Sequence, residues 1–91
     1  MNKFNVIYFF SNNSGACKIQ NELMSNLEKN FKEVNFKRID VDADNATKIK
    51  YQISETPSIV LENDGKVKEK FSGLTQELFL RRAIEKNLNG K

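Results

Sequence analysis

The stretch KFNVIYFFSNNSGACK, residues 3–18, changes its period halfway along. From Phe4 to Phe10 it is a run of aromatic and β-branched side chains, broken only by Asn5. Such side chains favour a pleated strand, and a near-continuous apolar run belongs to a strand covered on both faces. Ser11, Asn12, Asn13, Ser14 and Gly15 then form a cluster of turn-forming residues. Beyond them Ala16, Ile19, Leu23, Leu27 and Phe31 recur at spacings of three and four, the stripe of an amphipathic helix. Ser14 suits the N-cap, because its oxygen can accept from a free amide of the first turn. The reading is therefore a strand over 3–10 and a helix from Ser14. Cys17, the sole cysteine, falls in the first turn. At 3.6 residues per turn it stands about 100° from Ala16, which puts it on the flank of the apolar face.

The remaining chain continues the alternation. EVNFKRIDVD (33–42) carries Val34, Phe36, Ile39 and Val41 in an imperfect strand pattern, with Arg38 among them. ADNATKIKYQI (43–53) reads as a short helix capped by Asp44, with Ala46 and Ile49 expected inward. Pro57, the sole proline, stands directly before a strand at Ser58–Leu61. Asn63-Asp64-Gly65 is a hairpin turn signal, and KVKEKFSG (66–73) is the returning strand. Thr75 opens a last helix with Leu80, Ala83, Ile84 and Leu88 inward, and Gly90 lies past its end. The order βαβαββα predicts an α/β fold with a four-stranded mixed sheet and helices on both faces. Right-handed crossovers place the first and third helices on one face and the second on the other. That arrangement brings the loop after the first strand close to the loop before Pro57.

Length and composition bound the function. Ninety-one residues suit one small domain, here 1–91, with one core. The net charge of +3 is small and its signs are interleaved, so the concentrated basic stripe of a nucleic-acid binder is missing. The apolar run at 4–10 is too short to span a membrane and no cleavage pattern follows it. One cysteine cannot close an internal disulfide, which fits a reducing, cytoplasmic setting; a monomer is expected. With no histidine and one cysteine, a zinc site within one chain is not expected, nor is a cofactor. Asp40, Asp42 and Asp44 begin like a calcium loop, but Asn45 takes the glycine position and Tyr51 the bidentate glutamate position. Arg81 and Arg82 read as a solvated face with Glu77 and Glu85 nearby.

Three separated segments resemble the thioredoxin family: SGACK (14–18), KYQISETPSIVL (50–61) and DGKVKEKFSG (64–73). The resemblance extends over nearly the whole chain, in the minimal, glutaredoxin-sized form of the fold. It implies a cis Pro57 and a function in thiol–disulfide exchange. It places Ser14 at the attacking cysteine and Cys17 at the resolving one. It further implies that Gly15, Ala16, Thr56, Pro57 and Gly73 contact substrate, with Thr56–Pro57 as a backbone edge for an extended segment. Partners would be disulfide- or thiol-bearing proteins, including a reductase.

The departures from the family pattern fall at the chemistry. Ala16 replaces a proline, Phe10 and Asn13 replace two tryptophans, and Tyr8 stands at a buried aspartate. An attacking group must be an exposed thiolate, with a pKa lowered from about 8.5 to roughly 3.5–7.5. A serine hydroxyl stays protonated and forms no mixed disulfide. The chain as written is therefore expected to be inactive as a dithiol reductase, with Cys17 shielded and slow towards alkylating agents. Three functions fit these residues. One is a dithiol enzyme whose position 14 carries an introduced serine. Another is a natural one-thiol module that binds extended peptides or partner proteins. The third is a monothiol redox sensor at Cys17. Peroxiredoxins share the S-x-x-C layout, but their proline before the motif and their large insertions are missing. For Cys17 and Thr56–Pro57 the plain structural readings are a buried apolar filler and a turn before a strand.

Overall fold

The elements run β1 (Phe4–Phe10), α1 (Gly15–Asn30), β2 (Asn35–Asp40), α2 (Asn45–Lys50), β3 (Ser58–Asn63), β4 (Lys66–Ser72) and α3 (Glu77–Asn89). They come from a computed structural model that describes residues 4–89. Lys3 and Gly90, named above as strand start and helix end, lie outside the described residues. The sheet order is β2-β1-β3-β4. β1 pairs in parallel with β2 and antiparallel with β3, and β3 pairs antiparallel with β4.

Strand alternation divides β1 between two cores. Phe4, Val6 and Tyr8 join Ile59 and Leu61 on one face, where Met24, Leu27 and Phe31 of the α1 segment meet Leu80, Ala83 and Ile84 of α3. Ile7, Phe9 and Val60 point to the other face and meet Val41 and Ile53, with Ile39 and Tyr51 at the border. The first and third helices thus share a face, and the α2 segment covers the opposite one. Each fully buried aliphatic side chain in these layers contributes about 1.5–3 kcal/mol. At the hairpin Asp64 (φ 54°) and Gly65 (φ 81°) both take positive φ. This is the two-residue turn whose twist matches antiparallel strands.

The helix faces differ from the sequence reading. In α1 the buried residues are Cys17, Gln20, Met24 and Leu27, while Ile19 is 55% exposed. The buried stripe is displaced by one residue, and hence by about 100°, at its amino-terminal end. Both stripes share Leu27 and Phe31, so periodicity alone does not separate them. The physical reason is Gln20, whose amide finds a backbone partner inside the protein and so displaces an isoleucine outward. α2 is shorter than expected and buries none of its own residues. Ile49 is 65% exposed and Ala46 is exposed too, because Val41 and Ile53 beside the helix fill that core instead. α3 begins at Glu77, since Thr75 is held in the preceding loop. Arg81 pairs with Glu77 at 2.6 Å, as one-turn spacing allows.

Candidate functional site

Register brings three segments to one end of the sheet. Phe9 of β1 lies opposite Ser58 of β3, and Ser58 lies opposite Ser72 of β4. The loop after β1, the residues before β3 and the loop after β4 therefore leave the sheet together. Ser14 and Cys17 belong to the first segment, Thr56 and Pro57 to the second, and Gly73 to the third.

Ser14 has extended backbone (φ −107°, ψ 124°) and its Oγ accepts from the Cys17 N–H at 3.3 Å. Its hydroxyl is committed to the helix terminus, where it satisfies one otherwise unpaired donor. Gly15 is exposed and open space surrounds its Cα, while Ala16 is half-buried. Cys17 is 1% exposed. Its Sγ accepts from the Ser11 N–H at 3.5 Å, so the loop after β1 lies against the thiol. The flank position inferred from periodicity is therefore corrected: the displaced stripe carries Cys17 onto the buried face.

The Thr56–Pro57 peptide is cis. Pro57 is buried, and its carbonyl accepts from the Gly73 N–H at 2.7 Å. Gly73 has φ 85°, a left-handed conformation that costs a side-chain-bearing residue more than glycine. Thr56 is half-buried, and among the described residues no backbone hydrogen bond engages its peptide groups. A paired carbonyl at Pro57 beside an unengaged peptide at Thr56 leaves a short edge that can take up an extended chain.

Beneath the helix start lies Tyr8. Its hydroxyl is 3.0 Å from the Cys17 carbonyl oxygen and 2.7 Å from Asn21 Oδ1. A phenol has one hydrogen to donate. Both contacts are satisfied together if the Asn21 amide is turned so that its nitrogen donates to the phenol oxygen. Burial first, and then the neighbouring Cys17, holds the phenol well above its ordinary range, which Arg38 offsets in part. Arg38 sits 5.8 Å from the Tyr8 ring centre and bonds Glu28 Oε2 at 3.2 Å and Ser25 Oγ at 3.1 Å. Its donors are thus directed to the surface of α1.

Sequence reasoning missed Gln20. Its carboxamide, 0% exposed, pairs with both backbone groups of Thr75. The spacing 17, 20, 24, 27, 31 is itself helical, but a glutamine in that series does not register as core. Among the described residues no group of three or more His, Cys, Asp or Glu side chains could hold a metal ion. No described helix is long and apolar enough to cross a membrane.

Comparison with known proteins agrees with this geometry. The family profile "Thioredoxin" matches residues 1–86. The chain belongs to the thioredoxin family. A thioredoxin of Mycoplasmoides gallisepticum is 32% identical over 72 residues, which is 79% of this chain and 72% of that protein. The solved Fasciola hepatica thioredoxin is 32% identical with a TM-score of 0.86, covering 92% of this chain and 80% of that one. A malaria-parasite thioredoxin-2 superposes with a TM-score of 0.89 at 23% identity, over 93% of this chain and 84% of that one, a likeness of fold. The four-stranded mixed sheet with its flanking helices is the thioredoxin fold.

Proposed function

We propose that this thioredoxin-family chain is of the thiol–disulfide exchange type, with its dithiol cycle broken at position 14 and its substrate edge retained. Ser14, Gly15, Ala16 and Cys17 form the S-x-x-C segment, and Thr56, Pro57 and Gly73 form the edge. Disulfide- or thiol-bearing proteins bind there as extended segments, one of them a reductase in the dithiol form. The chain acts as a monomer in the cytoplasm, as one domain and without a cofactor.

The observation that carries this reading is the use made of Ser14. Its oxygen accepts from the Cys17 N–H, so position 14 is a helix cap with no nucleophilic sulfur. Cys17, sealed at 1% exposure, is out of reach of a protein disulfide, which weighs against a monothiol sensor. A second reading, a natural docking module, is favoured by Tyr8. A phenol is neutral at pH 7 already at its ordinary pKa of about 10, and burial raises this one further. It therefore accepts no proton from Cys17 at neutral pH.

Ser14→Cys separates these readings. Insulin reduction by dithiothreitol should run at background rate with the chain as written. A variant that turns over insulin supports the interrupted enzyme. A variant that closes its disulfide, by mass spectrometry after reaction with a thiol-specific label, yet stays at background supports the docking module. Insulin turnover by the chain as written would refute both.

A further inference from the structure

Gln20 is buried, fully paired and outside the thiol chemistry. Its Oε1 accepts from the Thr75 N–H at 2.8 Å and its Nε2 donates to the Thr75 carbonyl at 3.0 Å. One side-chain amide thus pairs with one residue's backbone as a neighbouring peptide would. The linkage continues past Thr75. Thr75 Oγ1 donates to the Gly73 carbonyl at 3.0 Å, and the Gly73 N–H donates to the Pro57 carbonyl at 2.7 Å. A single chain of hydrogen bonds therefore joins α1, one turn past Cys17, to the residue next to the unengaged Thr56 peptide. Gly73 and Thr75 lie in a loop, and loops are ordinarily the mobile part of a site. A glycine in the loop adds freedom that only such contacts remove.

We infer that Gln20 is a positioning residue: by clamping Thr75 it holds the Gly73 loop against Pro57 and fixes the width of the opening between α1 and the Thr56–Pro57 edge. This rests on the substrate edge proposed above. The clamp is directional. A residue of similar length without the amide fills the same space but leaves both Thr75 groups unpaired inside the protein, a cost that favours loop opening.

Gln20→Met is that residue, and Gln20→Glu, which burial favours in its protonated form, keeps an acceptor for the Thr75 N–H and a single O–H donor in place of the amide NH₂. Amide hydrogen exchange by NMR on the chain as written is the first measurement. In Gln20→Met, protection of both Thr75 and Gly73 should fall about tenfold or more, as expected for a net loss of about 1.4 kcal/mol. The second uses the Ser14→Cys, Cys17→Ser double variant, whose thiol at the half-buried position 14 forms mixed disulfides. In each exchange the thiolate attacks one disulfide, one S–S bond forms, one breaks and a thiol leaves, so no net oxidation occurs. The equilibrium is read with the symmetric disulfide of an extended cysteine-containing heptapeptide and with the symmetric disulfide of 2-mercaptoethanol, which has no backbone to pair. Preference for the peptide should fall in the order Gln, Glu, Met, by about tenfold overall, with the mercaptoethanol equilibrium unmoved. A merely structural defect would move both equilibria. Unchanged Gly73 protection, or an undiminished peptide preference in Gln20→Met, overturns the inference. A Gln20 parent with no preference for the peptide overturns the proposed substrate edge, and the inference with it.

Discussion

Tyr8→Phe removes one oxygen from beneath the site and leaves the ring. The ring retains its neighbours: Phe10 at 5.6 Å between centroids and the Arg38 guanidinium at 5.8 Å. What disappears is a hydroxyl on a residue 1% exposed, with contacts of 3.0 and 2.7 Å to Cys17 O and Asn21 Oδ1. Asn21 is half-buried, so water can replace the phenol at its amide. The Cys17 carbonyl is in a buried contact and loses the phenol's O–H. A neutral buried hydrogen bond of this kind contributes a net ~0.5–1.5 kcal/mol. With about 2.1 cal/mol/K of unfolding entropy per residue, a chain of this size shifts by about 5 °C per kcal/mol. The expected loss in Tm at pH 7 is therefore about 3–8 °C, read by far-UV circular dichroism. The folded phenol titrates above its unfolded value of about 10, since burial and Cys17 raise it. The stability that this shift represents is present below pH 10 and is lost as pH rises through the folded pKa. The gap between Tyr8 and Phe proteins should narrow as pH rises from about 10 towards 12. A shift below about 2 °C at pH 7, or a gap constant across that range, would refute the reasoning.

The buried position of Cys17 should make iodoacetamide at least tenfold slower with the native chain than with free glutathione at equal pH. Urea should abolish the difference, and a native rate equal to glutathione's would mean that the Ser11 loop does not cover the thiol. Ile19→Ser should leave Tm within about 2 °C, as exposed substitutions do, whereas Met24→Ala should cost about 2–5 kcal/mol. Equal losses would restore the apolar stripe read from periodicity. Glu62 lies below the usual carboxylate range, chiefly through the hydrogen bond from the Tyr51 hydroxyl, 2.6 Å away. The stability tied to it is present above its unfolded pKa and lost as pH falls through the folded one. Tyr51→Phe should therefore flatten the acid arm of a urea-unfolding profile below about pH 4.5; an unchanged arm would remove Tyr51 as the cause.

Much of this protein was determined locally, and so was legible in the sequence. The strand-to-helix change at Ser11–Gly15, the Ser14 cap and the Asp64-Gly65 turn depend on groups within a few residues of one another. So does the run from Phe4 to Phe10, whose two apolar faces require cover on both sides. Element order and crossover handedness then place the Ser14 and Pro57 segments at one end of the sheet. The motifs around them carried the family. What the tertiary structure decided is which side of each helix faces in. Gln20 is buried because Thr75, far along the chain, offers a matched donor and acceptor. That pairing turns Ile19 to solvent and seals Cys17. Ala46 and Ile49 stay exposed because Val41 and Ile53 reach the second core first. Side-chain polarity along a sequence ranks residues by their cost in water and cannot register a partner supplied from elsewhere. Burial of a polar group depends on that partner, and only the folded chain supplies it.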